Sequence, residues 1–177
     1  MATCKMMYKM AMMSFVTGVF LCSNAFADNK FEKEVELEGI AVKLVREVVL
    51  GNYKTITVKE LKDLVDTKKD ILIIDTMPYK DSYAKEHIPG AKQFLFPVPE
   101  MVTWDSKETD GKTQEDFQAL LGPDKNKQII VYCGFVKCTR SHNGAMWARK
   151  LGYTNVSRLP GGVFAWKGEG YETEKVD

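Results

Sequence analysis

The sequence predicts an α/β domain in which a mostly parallel sheet carries helices on both faces. Two observations predict it. Segments of strand length, at residues 71–74, 128–132 and 156–159, alternate with segments whose apolar residues recur at helical spacing. The first two are apolar on successive residues from 71 to 74 and 129 to 132, as strands buried on both faces require, and alternation of strands with helices favours parallel pairing. The chain has 177 residues, 45% of them hydrophobic, which suits one domain with a substantial core and no internal repeat.

Residues 1–27 stand apart. Lys5 and Lys9 are their only charges, an apolar run follows from Met10 to Cys22, and Ala25-Phe26-Ala27 precedes Asp28. A basic start, a short apolar stretch and an A-x-A site make a secretory signal peptide. The apolar run falls short of the roughly 20 residues that a membrane span needs. A lipid anchor on Cys22 is disfavoured because Leu21 is bulky where a small residue is wanted. Cleavage after Ala27, export to a periplasm and no lasting membrane anchor are therefore expected. Cleavage leaves Cys133 and Cys138 as the two remaining cysteines, too few for a disulfide scaffold.

Residues 28–56 form an N-terminal extension. Val35, Ile40, Leu44, Val45, Val48 and Val49 predict a helix over 31–50 that packs on the domain edge and carries no chemistry. The domain proper spans 57–177. Thr57 and Glu60 form a capping box for a helix through Leu61, Leu64 and Val65. The strand at 71–74 ends at Asp75, and Pro78 opens a helix through Tyr79 and Tyr83 that stops before Pro89-Gly90. Residues 93–96 suit a short strand, 97–112 a loop, and 113–121 a helix closed by Gly122-Pro123. The strand at 128–132 runs directly into Cys133, a loop follows from Gly134 to Arg140, and a helix starts near Ser141. A strand at 156–159 leads through Gly161-Gly162 into a last short helix, with Phe164 and Trp166 as core.

The cysteine at the end of the strand at 128–132 carries the chemistry. Ligands of open α/β sheets bind at the carboxyl edge of the strands, and loop amides with a helix amino terminus favour an anion there. That field is expected to lower the Cys133 thiol pKa and make it nucleophilic, with Lys137 and Arg140 adding positive charge. The site suits a small, anionic, soft electrophile. Arg140 is read as an anion ligand or a loop brace, while Lys137 stays open between site and surface. Cys138 has three readings: a resolving thiol, a disulfide partner, or a bystander. His87 is read as structural, and His142 as a solvated helix face more than a group at the mouth. Asp75 is a helix-capping group or a pocket rim. Cys133, Cys138 and His142 lack the further ligand that a zinc site needs, and no metal or other cofactor is expected. The 25 basic and 24 acidic residues show no long run of one sign, which leaves no clustered face for nucleic acid.

Ile73-Ile74-Asp75, Glu86-His87-Ile88-Pro89-Gly90-Ala91, Val131-Tyr132-Cys133 with Arg140-Ser141, and Pro160-Gly161-Gly162-Val163-Phe164-Ala165-Trp166 occur in that order. Together they resemble rhodanese domains, from about Thr57 to Tyr171. The resemblance implies a central, mostly parallel five-stranded sheet with helices on both sides. It implies transfer of sulfane sulfur from thiosulfate, polysulfide or a persulfide to a thiol or other thiophilic acceptor, through a cysteine persulfide. Cys133 matches the nucleophile. Gly134, Phe135, Val136, Lys137, Cys138, Thr139 and Arg140 match the anion-cradling loop. Three positions depart from the pattern: Met77 stands where an Arg is usual, Glu86 replaces a Gly, and six residues rather than four separate Cys133 from Arg140. Some phosphatases share this fold and use Cys-x5-Arg, one residue shorter than the spacing here. A thiol–disulfide carrier using Cys133 and Cys138 is the reading outside the transferases; their Cys-x4-Cys spacing differs from the thioredoxin Cys-x-x-Cys.

Overall fold

In the computed structural model, residues 29–67 and 69–176 are described. The expected signal peptide and its Ala27 cleavage site lie outside them. Helix α1 (Lys30–Gly51) starts where the Asn29 side chain accepts from the Phe31 amide and ends at Asn52, whose φ of 50° suits an asparagine. The Thr57–Glu60 capping box opens α2 (Val58–Asp66), and a second box between Thr113 and Asp116 opens α3 (Gln114–Leu121). Helix α4 (Arg140–Lys150) and helix α5 (Gly162–Gly168) follow the last two strands. Among the described residues no helix is long and apolar enough to cross a membrane.

Five strands build one sheet: β1 (Lys54–Thr55), β2 (Ile71–Asp75), β3 (Lys92–Gln93), β4 (Gln128–Tyr132) and β5 (Val156–Leu159). Their order is β1-β5-β4-β2-β3 and every pair is parallel. Side chains of β4 alternate between two cores. Ile129 and Val131 meet Phe94, Phe96, Phe117, Ala145 and Met146 on one face, while Ile130 and Tyr132 meet Leu61, Leu159, Val163 and Trp166 on the other. At Gly144 an added Cβ would lie 2.9 Å from Val131 Cγ1, so a glycine lets α4 press against the sheet.

Two expected elements shrink. The strand expected at 93–96 pairs only at Lys92–Gln93; Phe94 and Phe96 each donate one amide, to Asp75 and Thr76 carbonyls, before Pro97 removes the next donor. The helix after Pro78 is one wide turn, Tyr79–Tyr83. The loop expected over 97–112 holds a single 3-10 turn, Ser106–Thr109.

Candidate active site

Strand β4 delivers Cys133 to the carboxyl edge of the sheet, and the chain loops through Gly134–Thr139 before α4 begins at Arg140. A second segment locks the base of the loop. The amides of Val163 and Phe164 donate to the carbonyls of Cys133 and Gly134, both at 3.0 Å. Gly162 makes this approach, with φ of +57° and a would-be Cβ only 2.0 Å from the Cys133 carbonyl oxygen. No residue with a side chain fits there without moving the nucleophile's backbone.

Cys133 is fully buried. Its sulfur lies 3.3 Å from Ser141 Oγ and 3.4 Å from the Cys138 carbonyl oxygen. Arg158, on β5 and also fully buried, donates through Nε to Ser141 Oγ at 2.8 Å. An arginine has only protons to offer, so Ser141 Oγ accepts from Arg158 and its own proton is free to serve the Cys133 sulfur when that sulfur is a thiolate. Arg158 Nη2 donates to the Cys138 carbonyl at 2.9 Å, and Nη1 pairs with Glu47 Oε2 at 2.5 Å. Glu47 belongs to α1. Lys43, one turn earlier, donates to the Lys137 carbonyl and to Thr139 Oγ1, each at 2.9 Å. The extension is thus a brace on the loop, which corrects the expectation that it carries nothing for the site.

The thiols divide the charge between them. Burial pushes the Cys133 thiol well above the usual cysteine value, and the neighbouring Cys138 adds to the rise. The expected lowering of Cys133 is therefore corrected: the enclosed sulfur has lost its water. The lowered thiol is Cys138, at about 6, held there by a hydrogen bond from Cys133, the amides of Arg140 and Gly134, and the Arg140 charge. Loop amides and the α4 terminus favour an anion as expected, but they centre on the second cysteine.

The other loop residues separate by role. Arg140 donates its guanidinium to the Phe96 carbonyl, which makes it the brace of its two expected roles. Lys137 pairs with Glu36 of α1 at 2.5 Å and so faces α1. Val136 offers its carbonyl to Arg158 Nη2 at 3.4 Å. Phe135 is 44% exposed and Phe164 58% exposed, with ring centroids 5.6 Å apart. Phe164 is thus a surface residue where core was expected, because α5 turns Val163 and Trp166 inward instead. Met77, in place of the usual Arg, packs beside Gly134. Glu86, in place of the usual Gly, pairs with Lys167 at 2.8 Å.

His87 is buried, stacks on Tyr83 with centroids 4.1 Å apart, and donates from Nδ1 to the Tyr83 carbonyl, a structural role as expected. His142 is fully buried, against the expected solvated face. Its Nδ1 meets the Tyr53 hydroxyl at 2.9 Å, and burial lowers its pKa. It turns away from the two cysteines to Tyr53. Asp75 caps the turn after β2 by accepting from the Met77 amide at 2.8 Å.

The model of the rhodanese-like domain family matches residues 57–169. The chain belongs to the rhodanese-like domain family. Among solved structures, this rhodanese-like domain is similar to the thiosulfate sulfurtransferase from Pseudomonas aeruginosa, with TM-score 0.56 and 24% identity, covering 76% of this chain but 23% of that one. A protein from Bacillus halodurans gives TM-score 0.54 and 20% identity over 77% of this chain and 87% of its own. One from Rhodopseudomonas palustris, named as a possible tyrosine phosphatase, gives TM-score 0.51 and 19% identity over 76% and 93%. These likenesses bear on the fold alone. No curated protein matches the chain.

Proposed function

We propose that this rhodanese-like domain is a sulfurtransferase in which Cys133 takes a sulfane sulfur from a small anionic donor and passes it to a thiol. One observation carries the reading: the Cys133 sulfur sits at the end of β4 between the Ser141 hydroxyl and the Cys138 carbonyl. The Cys133–Cys138 pair shares one proton, and the form in which the proton rests on Cys138 leaves Cys133 as the minor but more nucleophilic thiolate, which attacks the outer sulfur of the donor. With thiosulfate, an S–S bond forms on Cys133, the donor S–S bond breaks, and sulfite leaves with the electron pair. The Ser141 hydroxyl donates to the sulfur that carries charge, as an oxyanion donor does. Phe135 and Phe164 stand exposed beside the loop, with Met77 and Phe164 next to Gly134. Those exposed rings give an apolar landing for the thiol acceptor.

A phosphatase reading is disfavoured by the six residues between Cys133 and Arg140, where those phosphatases have five, and by the donation of Arg140 Nη1 to the Phe96 carbonyl. Purified protein given thiosulfate and a thiol should form sulfite, and given an aryl phosphate should form no phosphate. The reverse pattern overturns the proposal. We further infer export, on the basic start and Ala25-Phe26-Ala27 of the sequence. Amino-terminal sequencing of exported protein should begin near Asp28; an intact Met1 contradicts it.

A further inference from the structure

We propose that Cys138 resolves the Cys133 persulfide, so that the loop releases the accepted sulfur as hydrosulfide and closes a Cys133–Cys138 disulfide. This rests on the sulfurtransferase reading and adds to it an activity, reduction of sulfane sulfur to sulfide.

The two thiols share one loop, both are buried, and both are free. The Cys133 sulfur is 3.4 Å from the Cys138 carbonyl, and each thiol perturbs the titration of the other, so the folded loop already brings the two residues together. Arg158 fixes the Cys138 carbonyl from below at 2.9 Å, and Lys43 holds the next residue through Thr139 Oγ1 at 2.9 Å. The Cys138 backbone is therefore held next to the Cys133 sulfur. The amides of Gly134 and Arg140 hold its negative charge, and a pKa of about 6 makes it a thiolate at neutral pH. The attacking group is thus stored beside its target.

The step balances. Cys133 carries –S–SH after sulfur uptake. The Cys138 thiolate attacks the Cys133 sulfur, the bond between that sulfur and the terminal one breaks, and hydrosulfide leaves with the electron pair. The terminal sulfur is reduced, and the two cysteines are oxidised to one disulfide. A dithiol from outside the chain, small molecule or protein, returns the loop to two thiols by exchange.

The test uses the full exported chain, reduced, freed of reductant and kept without oxygen. It receives one equivalent of thiosulfate, and sulfite, sulfide and intact mass are read together. Expected for the wild type are sulfite and sulfide in equal amounts and a chain lighter by two hydrogens that resists alkylation. Expected for Cys138→Ser, in which Cys133 must lose its proton without its partner thiol, are sulfite formed more slowly than by the wild type, no sulfide, and a chain heavier by one sulfur at the end point. Sulfide release by the wild type should fall as pH drops through about 6, where Cys138 is protonated. If the wild type forms sulfite but keeps the sulfur and makes no disulfide, the proposal is overturned while the transferase reading stands. If neither thiosulfate nor inorganic polysulfide loads any sulfur, both fall. The wild-type arm decides the matter even where the variant does not fold.

Discussion

The Ser141 hydroxyl lies 3.3 Å from the Cys133 sulfur, and its oxygen accepts a proton from Arg158 Nε. A Cys133 thiolate can only accept from that hydroxyl, so under the proposed reaction Ser141 and Arg158 are positioning residues for it. Ser141→Ala removes that donation to a charged sulfur, worth about 1.5–3 kcal/mol. The expected result is a fall of roughly 10- to 100-fold in the rate of sulfite formation, with the pH–rate profile moved to higher pH. A loss of stability with an unchanged profile would make the serine merely structural.

Glu47 and Arg158 form a buried pair between α1 and β5. Glu47→Ala leaves the Arg158 charge buried without its carboxylate, and should cost about 3–5 kcal/mol in urea unfolding, with sulfur uptake lost as the loop carbonyls are released. A cost below about 1 kcal/mol would show that α1 does not brace the site.

The carboxyl of Asp75 is fully buried, and burial pushes it from 3.8 up to about 6, against the pull of the Met77 amide. A raised acid pKa means that the folded state holds the extra proton. Stability therefore falls as pH rises from 3.8 to about 6 and stays reduced above that. Asp75→Asn keeps the acceptor for Met77 and should flatten the curve in this window, with a gain of up to about 3 kcal/mol at neutral pH before the cost of its buried amide protons. Unfolding midpoints with an undiminished slope across the window would remove Asp75 as the cause.

Gly162→Ala puts a methyl group into the Cys133 carbonyl, at a φ of +57°. Loss of about 1–3 kcal/mol of stability and slower sulfur uptake are expected. Wild-type behaviour in both measurements would mean that the close approach of Gly162 does not position Cys133.

Much of the frame was legible because its signals are local. The apolar run at 128–132 ending in Cys133, and the Thr57 and Thr113 capping boxes, each declare themselves within a few residues. The two-residue β1 leaves no periodic signal, and it stayed unread. The site's supporting shell is non-local: Glu47 and Arg158 meet across 111 positions, and neither follows a motif. One signal was present, since Arg158 is the lone charge in the apolar strand Val156–Leu159. A charge there is buried or at an edge, and buried charges are paired. Ser141 was visible as the residue after Arg140, but its aim at Cys133 depends on Arg158. The shift of the favourable field from Cys133 to Cys138 is likewise a matter of which amides face which sulfur, and spacing cannot express it.

The central claim is that Cys133 receives the sulfur. Polysulfide-treated Cys133→Ser and Cys138→Ser proteins, compared by intact mass and by mapping of the alkylated peptides, test it most directly. Serine is close in shape but a poor nucleophile toward sulfur. The account predicts one added sulfur on the Cys133 peptide of Cys138→Ser, and none on Cys133→Ser. An added sulfur on Cys138 of the Cys133→Ser protein, with none on Cys133 of the other, would contradict it.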